Sequence, residues 1–447
     1  MAGNAKSCLT PFRSASGTRH VVVGWILVAA AISYLDRVCI STAAPAIKAE
    51  LALSDSEMGL VFSAFTLAYA LFEIPAGWFA DRYGARITLA RVVVWWSLFT
   101  AATGLAWGLV SLLVLRFLFG IGEAGMFTGA AQAFGRWLPI AERGRAFGLA
   151  LMTAAFGGAL SQPLVVYLLG HMSWRGAFVI FGSVGILWAG GWWWWFRDDP
   201  AEHGAVNAHE LAVIESGRGS FEPAQSVPWG VIFGNRSVLA LCFTHFCAAY
   251  GWYFYLTWLP TYLLRARGLD LKAVGWLAAL PLLGIGFGSL LGGWASDRAM
   301  RRLGARRGRR LLPLIGHPVA AASVVGAVLT PDATTSALLF SLAAGFGAFG
   351  VSCSWAATVD IGGAHSGVVS GAMNMMGNLG GTLCPLVIGY TLERFGAFEP
   401  SLLLVAFMYL VAAAGWLVID PAEQVATARA APLRARFGEL GPDIPPA

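Results

Sequence analysis

The chain has 447 residues, of which 57% are hydrophobic and only 12% charged, with a formal net charge of +6. That balance excludes a soluble globular protein, and apolar runs of bilayer-spanning length recur along nearly the whole chain. The positive charge does not point to nucleic acid, because the basic residues sit between the apolar runs, where they set topology.

The first predicted span, at about 21–45, contains Ser33-Tyr34-Leu35-Asp36-Arg37. Lys6, Arg13 and Arg19 precede it, as in a signal peptide, but the apolar run continues past Asp36 and Arg37 to Pro45, so it reads as a retained span. A carboxylate and a guanidinium at that depth cost about 2.5–3.5 kcal/mol each, so they are expected to face a partner or a water-filled cavity. Spans 2 and 3 follow at about 57–79 and 87–107. Span 4, at about 110–133, carries Arg116 and Glu123, two turns apart on one helical face. Spans 5 and 6 cover about 145–169 and 175–196, and the Trp192-to-Trp195 cluster reads as an interfacial anchor.

A polar linker separates the halves, and six further spans follow at about 237–264, 272–295, 311–329, 336–359, 367–391 and 399–419. The expected units are an N-tail (1–20), a first six-helix bundle (21–197), a linker (198–236), a second bundle (237–420) and a polar tail (421–447). Lys and Arg crowd the side that holds the N-tail, Arg82, Arg86, Arg136, Arg143, Arg145 and the Arg298-to-Arg310 run, so both termini are expected in the cytoplasm.

The chain repeats itself. Gly77, Asp81 and Arg82 recur as Gly293, Asp297 and Arg298, 216 residues on; Pro45 and Pro260 are 215 apart, and Pro163 and Pro385 are 222 apart. Three landmarks near one offset predict an all-α polytopic fold of twelve transmembrane helices in two pseudo-symmetric six-helix bundles. Of the six cysteines, only Cys8 lies outside an apolar segment and none forms a C-x-x-C pair; no disulfide, metal or cofactor is expected. No G-x-S-x-G or H-E-x-x-H motif suggests an enzyme.

Gly77-Trp78-Phe79-Ala80-Asp81-Arg82-Tyr83-Gly84-Ala85-Arg86 resembles the signature loop of the major facilitator superfamily. Gly84 suits a turn, and in the family this loop locks the two halves together. The second copy keeps Gly293, Asp297 and Arg298 but has Met300 to Leu303 where the later glycine and arginine are expected. Within that superfamily, Tyr34-Leu35-Asp36-Arg37 with Ala44-Pro45 resembles the anion:cation symporter family. So do Arg116 to Gly125, Tyr255 to Leu263, and Met373-Asn374-x-x-Gly377-Asn378. Among its members the pattern is most similar to bacterial sugar-acid:proton symporters.

The resemblance implies that Arg37 is the anion ligand, since a guanidinium pairs in a fork with a carboxylate. It implies Asp36 and Glu123 as proton carriers, with Arg116 holding one of them ionised; a purely structural ion-pair network is the competing account. Span 7 has no arginine in its apolar core, unlike organophosphate carriers of the family, which favours a hydroxylated monocarboxylate. Tyr34, Tyr250, Tyr253, Asn374 and Asn378 are candidate hydroxyl contacts, although each asparagine serves equally as an interhelical hydrogen-bond partner. His245 reads as a packing histidine, and Glu73, one turn before Gly77, as part of the cytoplasmic gate. The expectation is a monomeric, proton-coupled importer of a sugar acid (hexonate, hexarate or hexuronate) in a bacterial inner membrane. Its partners are the anion, the proton and the bilayer, and no nucleic acid. The same fold carrying an aromatic carboxylate or dicarboxylate is the alternative, and a non-transporting receptor the alternative of a different class.

Overall fold

The computed structural model describes residues 15–216 and 229–425, so Cys8 and most of both tails lie outside the described residues. Twelve spans are present among the described residues. Span 1 is α1 (Thr18–Leu51), and spans 2 and 3 form α2 (Asp55–Thr103). Span 4 is α3 (Leu109–Glu123) with α4 (Met126–Trp137); spans 5 and 6 are α5 (Ile140–Leu169) and α6 (Trp174–Trp195). The linker carries α7 (Ala208–Ser216) and α8 (Trp229–Ile232). Span 7 is α9 (Arg236–Thr257) and α10 (Leu259–Arg265), parted at Trp258 just before Pro260, which has no N–H to continue the ladder. Spans 8 and 9 are α11 (Leu271–Leu277) and α12 (Ala279–Leu329). Spans 10, 11 and 12 are α13 (Ala333–Gly362), α14 (Ser366–Phe395) and α15 (Glu399–Gly415).

Two glycines make the reversals inside the long helices. Gly84 in α2 has φ 77° and Gly304 in α12 has φ 79°, a conformation that costs an L-residue roughly 1–2 kcal/mol. The second turn therefore exists, but one helical turn later than the first copy suggests. Gly304-Ala305-Arg306 repeats Gly84-Ala85-Arg86, displaced by four extra residues after Asp297. Each turn is tied to the end of its bundle's last helix. Asp198 accepts from the backbone N–H of Ala85 (2.7 Å) and Arg86 (3.2 Å), and Arg86 donates to the Trp193 carbonyl (2.6 Å). In the second bundle Arg306 pairs with Asp420 (3.3 Å) and Arg310 donates to the Ile419 carbonyl (2.7 Å). Asp199-Pro-Ala-Glu and Asp420-Pro-Ala-Glu begin the segments after spans 6 and 12 alike, each aspartate accepting from the backbone N–H two residues on.

The bundles join through span 2 on span 11 and span 5 on span 8. The tightest approach is near Asp55. A Cβ at Gly59 would lie 2.6 Å from the Pro385 carbonyl oxygen, and one at Gly389 2.6 Å from that of Asp55, so neither position accepts a larger residue. Arg265 adds a cross-bundle ion pair to Asp55 (2.7 Å), and Glu393 accepts from Ser56 N–H (3.2 Å). At the opposite end, the contacts described for Asp81, Arg86, Asp297 and Arg309 stay within their own bundles.

The linker is more than a polar tether. Glu210 of α7 is fully buried and caps α1: it accepts from the backbone N–H of Thr18 and Arg19 (3.0 Å each), from the Ser16 hydroxyl, and from Arg19 Nη1 (3.3 Å). Free N–H groups at a helix start are a natural anion site. Burial alone would raise the Glu210 carboxyl, but the donors from Ser16, Arg19 and Thr18 outweigh it and hold the group below the ordinary range. A depressed carboxylate contributes stability above its unfolded value and loses it as pH falls through the folded one. Amide protection in α7 and at the start of α1, relative to intrinsic exchange rates, is therefore expected to be high at neutral pH and to fall as pH drops below about 4. Glu210→Gln should show fast exchange already at neutral pH.

Candidate functional site

The first span brings Arg37 to the interface between the bundles, near the middle of α1. Its Nη2 lies 2.9 Å and its Nε 3.2 Å from Oε1 of Glu123, at the end of α3, where span 4 is interrupted around Ala124 and Gly125. The Ser33 hydroxyl, one turn earlier on α1, donates to the same oxygen. Glu123 is fully buried and its second oxygen has no hydrogen-bond partner. Aromatic faces surround the guanidinium, with Tyr34 at 4.7 Å, Phe65 at 4.9 Å and Tyr69 at 5.1 Å from ring centre to Cζ. These rings favour a planar cation.

The opposite wall comes from the second bundle. Tyr253 of α9 donates to Asn378 Oδ1 (2.9 Å), and Asn378 Nδ2 donates to the Asn374 carbonyl (3.1 Å). The Asn374 amide donates across the interface to Glu73 Oε1. Further toward the Asp55 end, Thr382 donates to the Thr66 hydroxyl (3.0 Å), and the Ser63 hydroxyl donates to the Thr382 carbonyl (2.7 Å). Tyr34, Arg37, Glu123, Tyr253, Asn374 and Asn378 thus converge as the sequence suggests.

Four placements differ from the sequence reading. Asp36 is fully buried and turned off the cavity, toward Trp96 and Thr100 of α2, because neighbouring residues on a helix point about 100° apart. Both its oxygens lack a hydrogen bond of normal geometry. Arg116 lies in the field of Asp36 and Glu123 but forms no ion pair with either; its guanidinium sits 4.2 Å over Phe119, with Nε and Nη1 unpartnered. Seven residues of rise, about 10 Å, hold it away from Glu123 on the same span. Tyr250 is fully buried in the second bundle near Cys384 rather than near Arg37. Glu73 turns inward from the signature loop and faces Asn374, Asn378 and Arg37.

The signature-loop residues lie at the end opposite Asp55. Gln132 donates to Asp81, and Arg82 sits over the rings of Trp78 and Tyr83 (5.9 Å each). A Cβ at Gly77 would meet the Thr128 methyl at an ordinary 3.7 Å, and one at Gly293 would stand in open space. In the second copy Arg309 bridges Asp297 (2.9 Å) and Asp360 (2.9 Å), and Arg298 lies over Trp294 (5.8 Å). Sequence reasoning did not single out Arg309, Tyr69 or Thr382; Tyr69, one turn before Glu73 on the cavity face, was the most accessible of these.

Helices in two pseudo-symmetric bundles around a buried, charged centre are the architecture of a membrane transporter. The Major Facilitator Superfamily profile matches residues 26–385, and the chain belongs to that superfamily; it is a membrane transporter and not an enzyme. A probable sulfoacetate transporter of Cupriavidus necator is 37% identical, aligned over 90% of this chain and 94% of its own. A probable galactarate/D-glucarate transporter of Bacillus subtilis is 31% identical over 92% and 94%. Among solved structures, a bacterial homolog of the human lysosomal transporter Spinster, inward-facing and unoccupied, has the same fold, with TM-score 0.73 at 20% identity, over 90% of this chain and 96% of that one.

Proposed function

We propose that this protein imports an organic anion, in the first instance a sugar acid, together with protons. The carrying observation is the Arg37–Glu123 pair at 2.9 Å, buried between the bundles and faced by Tyr34, Tyr253 and Asn378. While ionised, Glu123 occupies the arginine fork that a substrate carboxylate needs. Protonation of Glu123 releases the fork, and the arriving anion supplies the lost countercharge. Tyrosine and asparagine groups then meet hydroxyls, each able to donate and accept. Asp36 and Arg116, buried behind span 1, form the second charged set and would carry a second proton. The relatives named for sulfoacetate and for galactarate/D-glucarate support an organic-anion cargo. The same reading puts the protein, as a monomer, in a bacterial cytoplasmic membrane with both termini inside, so that the bundles are joined on the outer side.

Uptake into proteoliposomes tests this. Two protons per monoanion move net charge about +1, and a potential of about 100 mV then contributes roughly 2.3 kcal/mol to accumulation. Transport of a hexonate should give an inward positive current on a solid-supported membrane; an electrically silent cycle rules out two protons per monoanion. The sulfoacetate relative favours one variant of this reading, a short sulfonated acid as cargo, and sulfoacetate belongs in the same assay.

A further inference from the structure

We infer that Glu73 sets the substrate class: it closes the far end of the anion site and selects monoacids with a hydroxylated far end over diacids. The inference rests on the organic-anion reading and narrows it.

Glu73 lies one helical turn after Tyr69 on span 2, inside the polar cavity. Its Oε1 accepts from the Asn374 amide of the opposite bundle, and its Oε2 is buried with no hydrogen-bond partner. The groups that face it are Arg37 from α1, Tyr69 on its own helix, Tyr253 from α9, and the amides of Asn374 and Asn378 from α14. Arg37 is already matched by Glu123, so Glu73 brings negative charge beyond what the anion ligand requires. A latch between bundles needs only an acceptor for the Asn374 amide, and a neutral glutamine side chain supplies that. A carboxylate in this place costs far more to bury. A cargo that arrives with donors uses it.

With its carboxylate on Arg37, a substrate extends its other end toward Asn374, Asn378 and Glu73. Hydroxyls there donate to the free Oε2, a charge-assisted bond. A second carboxylate there meets a like charge at close range, which the asparagine amides and the Tyr69 and Tyr253 hydroxyls do not neutralise. Rejection by an unfavourable contact, rather than by lost attraction, is an efficient source of selectivity.

Galactonate and galactarate provide the test, because they differ only at the far carbon, a hydroxymethyl in one and a carboxylate in the other. Affinities of both are measured by calorimetry at pH 8 on the purified full-length protein and on Glu73→Gln, whose amide carbonyl still accepts from Asn374. The wild type should bind galactonate at least about thirtyfold tighter than galactarate, and Glu73→Gln should bring the two within about threefold, chiefly by gaining galactarate. Asn374→Asp, which adds charge at the same place from the other bundle, should widen the ratio, and it decides the matter if Glu73→Gln does not fold. A ratio unmoved by these changes, or a wild type that prefers galactarate, overturns the assignment and leaves Glu73 as a latch. If neither acid binds the wild type or Glu123→Gln, whose Arg37 fork stays open at pH 8, the sugar-acid reading falls, and this one with it.

Discussion

Replacing Arg37 by lysine is expected to weaken substrate binding by hundreds-fold, nearly as much as replacing it by alanine. The charge is not what distinguishes the two side chains. Arg37 presents Nε and Nη2 together, at 3.2 and 2.9 Å, to one carboxylate oxygen, while its flat faces lie within about 5 Å of three aromatic rings. An ammonium has no such fork and no flat face, and it is more strongly hydrated, so it sits poorly between Tyr34, Phe65 and Tyr69. Breaking a buried, hydrogen-bonded ion pair costs about 3–5 kcal/mol, which is some hundreds-fold or more in affinity. Isothermal titration with the identified anion, beside a thermal unfolding curve to confirm folding, reads this out. Binding by Arg37→Lys within a few-fold of wild type would reduce Arg37 to a general electrostatic element.

Much of this architecture is legible in the sequence because the bilayer forces it. Span lengths follow from membrane thickness, and the Pro and Gly-x-x-x-Asp-Arg landmarks expose the repeat. Gly84 is readable as a turn because only glycine enters that conformation cheaply. Its partner Gly304 is hidden by four inserted residues, which a helix absorbs as one extra turn without changing which face each side chain presents. The site is less legible. Spacing places Tyr253 and Asn378 on helices that line the interface, but it does not tell a cavity face from a packed one. Tyr250 and Tyr253 are three apart, and a rotation of about 60° sends the former into the bundle near Cys384 and the latter to Asn378. Asp36 and Arg37 separate for the same reason. Glu73 reads as a gate residue only because Gly77 follows it. Its real partner, Asn374, is 301 positions away on the other bundle, and a single chain carries no signal for such a pairing. The capping of α1 by Glu210 is equally silent in sequence, since the two lie 192 positions apart at Thr18.

Replacing Glu123 by glutamine is expected to separate exchange from accumulation. Glu123 is fully buried, its Oε1 is shared by Arg37 and the Ser33 hydroxyl, and its Oε2 is unpartnered. While the pair with Arg37 at 2.9 Å is made, the guanidinium fork is closed. Under the proton-coupled reading proposed above, one transport cycle opens and re-forms this pair. Glutamine has the shape of the protonated acid and cannot ionise, so it leaves the Arg37 fork open at every pH. Glu123→Gln should therefore bind the anion and exchange it across the membrane, with counterflow within about tenfold of wild type. Accumulation driven by a proton gradient should disappear, because no proton leaves on the inner side to re-form the Arg37 pair and expel the anion. Both assays belong on one proteoliposome preparation, so that differences in folding or insertion cancel. Loss of both activities would make Glu123 a structural support for Arg37. Gradient-driven accumulation equal to wild type would transfer the coupling to Asp36 of span 1, working against Arg116 behind the cavity.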